Sequence, residues 1–409
     1  MSTTTTASTP TTVDCAVAGG GPAGILLGLL LARRGVRVLV LEKHADFLRD
    51  FRGDTIHPAT LEVMDDLGLT ERLLQLPHTT VSRFAFGFGD GRQATIADLS
   101  RLPSRHRYVA FMPQWDLLEF LSREAARYPG FELRRCSEVV GLIEEGGAVR
   151  GLRYRSPDGD AEVRARLVVG ADGRRSTVRE AAGLVPRASS PPMDVLWFRV
   201  SRDPAEVTAT FGQVGGGSFL ILFNRGEFWQ AGFVIPKGSD AAVRAAGLPA
   251  FRARVAGIAP FLTDRLDEVD SWDRVHLLTV EANRLRRWHR PGLLCIGDAA
   301  HAMSPVGGVG INFAIQDAVV TANLLAGPLR AGRLREADLA AVQRRRQLPT
   351  RIVQFLQAQA QRRLLAPALR GEAPRVLRVA GRLPLLGDAV ARLVALGIRR
   401  AHVEGEAVA

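Results

Sequence analysis

Lysine is nearly missing from this chain: Lys43 and Lys237 are the only two, and arginine supplies the rest of the charge behind a formal net +12. Such a balance suits nucleic acid, a membrane surface or anionic ligands. No DNA or RNA recognition motif accompanies it, so a nucleic-acid partner is not expected. Cysteine is scarce as well. Cys15, Cys136 and Cys295 do not suggest a disulfide framework, and Cys15 and Cys295 lie in apolar strand-like runs that predict buried, inert thiols. No Cys/His cluster has metal-ligand spacing, and no metal is expected. No apolar run approaches the roughly 18 residues of a membrane span. Residues 1–12 are rich in Ser, Thr and Pro and lack the basic and apolar regions of a signal peptide. They read as a disordered tail on a cytoplasmic protein.

What is present is ample for folding, since 409 residues with 46% hydrophobic content allow two domains with real cores. The spacing predicts a strand over Val13–Ala18, a glycine turn, a helix over Pro22–Arg34 ended by Gly35, and a strand over Val36–Leu41. That is one β-α-β unit. Further helices are predicted over Pro58–Leu67 and Trp115–Arg127. Alternating apolar residues predict antiparallel strands over Thr80–Met112, with a turn at Gly89–Gly91. A hairpin pattern covers Val139–Val169, with its turn at Asp158-Gly159, and Asp194–Ile235 is strand-rich. Helical pattern resumes at Asn312 and continues to the C-terminus, where Arg362–Arg400 holds nine arginines against Glu372 and Asp388. No internal repeat is visible.

Three motifs appear in order, and together they describe a dinucleotide site. In Gly19-x-Gly21-x-x-Gly24, the first glycine permits the tight turn and the second lets backbone approach a pyrophosphate. The third lets the helix, with its positive N-terminal end, pack on the sheet. Glu42 ends the second strand, 18 residues beyond Gly24, where a carboxylate accepts ribose hydroxyls. The second motif, Gly170-Ala171-Asp172-Gly173, also follows a strand, although alone it is an ordinary Asp-Gly turn. The third, Gly297-Asp298-Ala299-Ala300-His301, runs on through Ser304-Pro305-Val306-Gly307-Gly308-Val309-Gly310-Ile311-Asn312 into a helix. Three glycines in four positions imply close backbone approach to a flat ligand, with a helix dipole that favours an anionic reduced flavin.

On these motifs the chain resembles the single-component flavoprotein aromatic hydroxylases of the p-hydroxybenzoate hydroxylase type, from about Val13 to Leu325. The resemblance implies an α/β fold: a Rossmann-type FAD-binding domain interleaved with a mainly antiparallel substrate sheet domain, plus C-terminal helices. The expected boundaries are 13–78, 112–182 and 276–330 for the FAD domain, 79–111 and 183–275 for the sheet domain, and 331–409 for the helices. It also implies non-covalent FAD, with NADPH or NADH and O2 as co-substrates. By resemblance Gly19, Gly21, Ala23, Gly24, Glu42 and Lys43 hold the dinucleotide, Arg52 lies near its phosphates, and Gln114 touches FAD. Asp172 and Gly173 serve both FAD and NAD(P)H, and Gly297 and Asp298 meet the ribityl chain. Gly307, Gly308, Val309, Gly310, Ile311 and Asn312 lie against the flavin. The implied chemistry is oxygen transfer from a flavin C4a-hydroperoxide to an electron-rich carbon.

A phenol reacts better once deprotonated, so a base within hydrogen-bond reach is expected. His57 is the candidate, with a helix cap at Pro58 as its equal alternative, and Pro305 joins it among the candidate catalytic residues. His301 reads as structural and Tyr108 as a weaker base. Trp197, Phe219, Phe223, Phe228, Trp229 and Phe233 include the expected floor of an apolar pocket, which suits a large polycyclic or quinone-like aromatic. Other flavin enzymes of the fold remain open: epoxidase, Baeyer-Villiger enzyme, prenyl reductase, halogenase, or a redox-silent flavin-binding protein. A halogenase needs a carrier lysine and a Trp-x-Trp-x-Ile-Pro segment, which Phe228–Pro236 imitates only superficially. Membrane contact through the basic helices stays an open expectation, as does the choice between monomer and homodimer.

Overall fold

The computed structural model describes residues 11–48, 55–88, 93–189, 191–203, 205–206, 212–370, 384–405 and 407. The parallel core of its first sheet is made of apolar runs buried on both faces, Cys15–Ala18, Val38–Leu41, Leu167–Val169 and Leu293–Cys295, as parallel strands require. Thr11–Ala18 lies between Gly159–Gly170 and Val38–Leu41, and Phe131–Arg134 and Leu293–Cys295 extend the parallel array on either side. The strand at Glu138–Glu145 pairs with Ala148–Ser156, which pairs in turn with Gly159–Gly170, so one long strand serves both a hairpin and the parallel array. The Pro22–Arg33 helix that connects the first two strands is apolar almost all round and buried from Ala23 to Ala32. Such a helix belongs inside a core. Gly28 lets it sit close, because a Cβ there would fall 2.6 Å from the Phe131 ring.

The second sheet has seven strands in the order His276–Leu278, Met193–Ser201, Phe228–Pro236, Ser218–Asn224, Gly212–Gly215, Arg83–Phe88 and Gln93–Asp98. All its pairings are antiparallel except Gly212–Gly215 with Arg83–Phe88. The chain enters this sheet twice, once from residue 83 and again from residue 193. A three-stranded sheet (Thr55–Ile56, Val109–Phe111, Thr79–Val81) lies where it crosses. The fold class expected from the motifs is the one observed.

Differences from the sequence reading are local. The first strand begins at Thr11, two residues inside the expected tail, because the long Gly159–Gly170 strand extends its pairing. The second strand begins at Val38, since Val36 and Arg37 lie between the Arg34–Gly35 turn and the strand, with Arg37 N donating to Asp14 Oδ2 at 3.1 Å. The 183–275 stretch was expected to be sheet, yet it also holds helices at Asp240–Ala245 and Leu248–Ile258 and a 3-10 helix at Pro260–Glu268. Gly247, with φ +87°, and Pro249 in the first turn mark the second of these helices. The C-terminal expectation resolves into helices at Gly310–Arg330, Glu336–Ala360 and Pro384–Leu396, with a π turn at Gln361–Leu365. Among the described residues, no helix is long and apolar enough to cross a membrane. Arg52, the Gly89–Gly91 turn and part of the arginine-rich stretch lie outside the described residues.

Candidate functional site

Four strand ends stop at one level. Leu41 lies across from Ala18, Ala18 from Gly170, and Gly170 from Cys295. Backbone bonds carry this alignment one step further, from Gly19 N to Leu41 O (2.8 Å), Ala171 N to Ala18 O (2.8 Å) and Ile296 N to Gly170 O (2.9 Å). The three motifs therefore begin side by side at the carboxyl ends of parallel strands, where open α/β sheets form their ligand crevice. They touch through backbone. A Cβ on Gly19 (φ +101°) would lie 2.5 Å from the Ala171 carbonyl, and one on Gly24 would lie 2.0 Å from the Gly19 carbonyl. Gly297 (φ +58°) packs in the same way beside Ala23, whose Cβ would be 3.2 Å from its own.

The first helix starts at Gly21 with no side-chain cap and no acid in its first turn, and nothing lies within 4 Å of the missing Gly21 Cβ. Its first amides are thus directed at open space with the dipole behind them, which is an anion-binding arrangement. Glu42 is buried beside this turn. Its Oε2 accepts from Gly20 N at 2.9 Å and its Oε1 accepts from His44 N at 3.0 Å. Lys43, next along, is exposed.

The second motif is held by its own side chains. Asp172 Oδ2 accepts from Val178 N (3.1 Å) and Oδ1 from Ser176 Oγ (2.5 Å), and Ser176 in turn caps the Thr177–Ala181 helix. Burial is the largest influence on Asp172 and raises its pKa above the usual carboxylate value. Arg179, which the sequence reading passed over, is buried and ties two motifs together. Its guanidinium donates to Ala299 O (3.1 Å) and Arg174 O (2.6 Å), while Arg174 Nε donates to Asp298 Oδ2 (3.1 Å).

The third motif rests on a buried charge cluster that was also missed. Asp317 Oδ2 accepts from Gly297 N (2.9 Å) and meets His301 Nε2 (2.7 Å), and Oδ1 accepts from Arg346 Nε (2.6 Å). Burial opposes its charge, yet the His301 and Arg346 partners prevail and hold its pKa down to about 2. His301 is structural, as its place in the motif suggests. The only signal for Asp317 was an acid on the helix face behind the motif, which no spacing rule distinguishes from a surface residue.

The glycine run then turns into the Gly310–Arg330 helix, whose start likewise has no side-chain cap and no first-turn acid. Gly307 (φ +82°) and Gly308 (φ +62°) need glycine. A Cβ on Gly308 would meet Thr55 Oγ1 at 2.6 Å, and Thr55 donates to the Gly308 carbonyl at 2.7 Å. Asn312 Oδ1 accepts from His57 N (3.1 Å) and Thr60 Oγ1 (2.6 Å), clamping the helix start to the His57 loop. Pro305 is half-buried, with its carbonyl accepting from Gly308 N at 3.0 Å.

His57 departs from the expected catalytic base. It is 2% exposed, its Nδ1 lies 2.9 Å from the Val394 carbonyl, and burial lowers its pKa to about 4. A neutral ring that donates to a carbonyl of the C-terminal helix is a clamp, because it has no open face for a substrate proton. Nor does its side chain cap the helix at Pro58. Gln114 is half-buried and opens the Gln114–Ala125 helix, and Tyr108 is half-buried beside His106.

In the second sheet, the pleat sorts the aromatics. Trp197, Phe219 and Phe223 share one face with Ile221 and Phe86, and Val306 packs against that cluster. Trp197 stacks on Phe223 (5.8 Å, 17°) and lies over Gly232, where a Cβ would fall 2.8 Å from the indole. Trp229 and Phe233 instead face the opposite way, into a core with Phe198 and Phe251 under the Leu248–Ile258 helix. They are not pocket floor, since alternate strand residues must point to opposite faces. Phe228 sits at the strand end beneath Arg199. Lys237 is locked by Asp194 Oδ1 (2.8 Å) and the Val280 carbonyl (2.7 Å).

The residues fit a dinucleotide: two uncapped helix starts, a strand-end carboxylate, and glycines at positions where a Cβ would strike neighbouring backbone. Comparison with known proteins agrees. The FAD binding domain family matches residues 12–356. The 6-methylpretetramide 4-monooxygenase of Streptomyces rimosus is 34% identical over 397 residues, covering 96% of this chain and 94% of that protein. The rifampicin monooxygenase of Streptomyces venezuelae is 33% identical over 322 residues, covering 75% of this chain but 62% of that longer protein. The solved anhydrotetracycline hydroxylase from Streptomyces rimosus superposes with a TM-score of 0.76 at 25% identity, covering 97% of this chain and 78% of that one.

Proposed function

The chain belongs to the FAD binding domain family of flavoprotein aromatic monooxygenases, and from that premise we propose that it uses NADPH or NADH and O2 to hydroxylate a flat, hydrophobic, polycyclic or quinone-like aromatic. Two observations support this reading: the three backbone motifs begin side by side at aligned strand ends, and Val306, which leads into the glycine run, packs against the apolar cluster of Phe86, Trp197, Phe219 and Phe223. Relatives named for pretetramide and anhydrotetracycline substrates suit such a face.

Bound FAD supplies hydride acceptance and oxygen activation; the protein supplies position and environment. In this reading the amides of Ala23 and Gly24 take the pyrophosphate, and Glu42 takes ribose hydroxyls. Asp172, Gly173, Gly297 and Asp298 line the middle of the cofactor. The uncapped start of the Gly310–Arg330 helix would stabilise negative charge on the reduced ring through the helix dipole. His57 acts on this segment as a clamp, and Pro305 shapes it without moving a proton. The apolar sheet face excludes water from the reacting carbon. The locked Lys237 supports hydroxylation over halogenation, since it is tied to Asp194.

The test is anaerobic bleaching of the flavin by NADPH and by NADH, with and without phenols, quinones and polycyclic aromatics. Strong acceleration by polycyclic compounds, followed by oxygen uptake and a product one oxygen heavier, is the expected result. Equally fast bleaching whatever is added would sink the hydroxylase reading in favour of a reductase or halogenase.

A further inference from the structure

A row of glutamines grips the segment that leads into the glycine run. Gln354, Gln357 and Gln361 are three and four residues apart, so they line one face of the Glu336–Ala360 helix and the π turn that continues it. Gln354 Nε2 donates to the carbonyls of Asn283 (2.9 Å) and Ala302 (3.2 Å). Gln357 Nε2 donates to those of Ser304 (2.9 Å) and Val306 (2.7 Å), and Gln361 Nε2 donates to Ser304 Oγ (2.5 Å). Alternate residues 302, 304 and 306 are thus held from one side. The Ala302 carbonyl also accepts from Asn283 N at 3.1 Å, but residues 303–306 pair with no described strand, so side-chain amides do here what a ladder would do in a sheet.

Gln357 is buried, and its own Oε1 has no hydrogen-bond partner among the described residues. A buried acceptor left unpaired is costly, so an amide here is justified by its donor end alone. The orientation is chemically fixed, because a flipped amide would set an oxygen against two carbonyls. One turn further on, Leu365 and Ala368 join the Trp197–Phe219 cluster, against which Val306 also packs. A single helical element therefore touches both the segment before Gly307 and the aromatic sheet face.

We infer that Gln357, aided by Gln361, is a positioning residue that sets Val306–Gly308 at the height from which this segment meets the flavin ring. What the segment faces rests on the monooxygenase reading; how it is held does not. The test is amide hydrogen exchange on the full chain, with Gln357→Met as the variant that keeps volume and removes the donor. Exchange over residues 303–309 should speed about tenfold or more, while the Thr11–Ala18 strand stays within about twofold. Gln361→Met, the milder variant should Gln357→Met fail to fold, should speed the same segment about threefold. In the holoenzyme, Gln357→Met should also shift the visible absorption of bound FAD and weaken FAD about tenfold. Gln343→Met, which removes bonds to Arg286 and Trp288 from the same helix, should do neither. Unchanged exchange over 303–309, or an equal rise in the Thr11–Ala18 strand, would overturn the inference. A wild-type chain that binds no FAD would sink the monooxygenase reading instead, and the exchange result would still decide this one.

Discussion

The two sheets build their surfaces by different means. On the parallel side the wall is backbone: glycine carbonyls and amides in contact, with the nearest side chains turned to hold them. On the antiparallel side the wall is side chains, whose shape and apolarity are the whole of the surface. At Gly19 and Gly24 the backbone wall tolerates almost no change of residue, because a Cβ there meets another backbone atom. A side-chain wall can be re-cut one residue at a time without disturbing its neighbours' hydrogen bonds. On the proposed function, cofactor binding would belong to the first and substrate choice to the second.

The harshest break in the backbone wall is Asp317→Ala. It leaves Arg346 buried at 3% exposure without its carboxylate and frees the Gly297 amide. Removing one partner of a buried pair costs about 3–5 kcal/mol. Urea melts of the variant should show that loss, and a cost below about 1 kcal/mol would mean the cluster is not what supports the third motif. Gly24→Ala comes next. Its Cβ would overlap the Gly19 carbonyl at 2.0 Å, so the helix must retreat from the turn, at roughly 1–3 kcal/mol for overpacking. Flavin fluorescence titration should show FAD binding weakened at least about 100-fold. Retention of wild-type affinity would dissociate the glycine turn from the cofactor.

A pH titration sharpens the comparison on the backbone side. The His57 pKa falls from 6.5 to about 4 on folding, chiefly by burial. The unfolded chain therefore takes up the proton first. The contribution of neutral His57 is complete above about pH 6.5 and is lost as pH falls toward 4, up to roughly 3 kcal/mol. The pKa of His289 is lowered as well, so the readout is the difference between wild type and His57→Gln. The variant should show the flatter stability profile between pH 6.5 and 4. Parallel profiles would mean that His57 is not buried neutral in solution.

The same contrast explains what could be read from the sequence. Glycine requirements leave a mark that spacing preserves, so Gly19, Gly24, Gly297 and Gly308 were legible along with the fold they imply. Glu42 was legible because strand ends are predictable. Asp317, Arg179 and Gln357 were not, because each acts on backbone brought near only by folding, across 20, 120 and 51 to 53 positions. Sequence reading also offered His57 as a base because its loop should face the flavin, with a helix cap as the equal alternative. It could not know that the Val394 carbonyl, 337 positions away, accepts a hydrogen bond from its Nδ1. On the antiparallel side it found the aromatics but not their faces. Parity along Phe228–Pro236 separates Gly232 from Phe233, and only the packing of the folded sheet shows which parity joins the Trp197 cluster and which the core under the Leu248–Ile258 helix.

The smallest expected effect is the sharpest test of that division. Phe223 is half-buried between Trp197 (5.8 Å) and Phe111 (5.0 Å). Phe223→Ala removes ring area that a flat substrate would cover, together with two aromatic pairs, each worth about 0.5–1.5 kcal/mol beyond its area. The loss falls on substrate, so KM for an accepted polycyclic aromatic should rise about tenfold while FAD affinity stays within about twofold. FAD binding should be spared because no backbone bond of the motifs runs through the strand Ser218–Asn224. If FAD affinity fell in step with KM, the two walls would be one cooperative unit. Their separation into a cofactor wall and a substrate wall would then be wrong, whatever the substrate turns out to be.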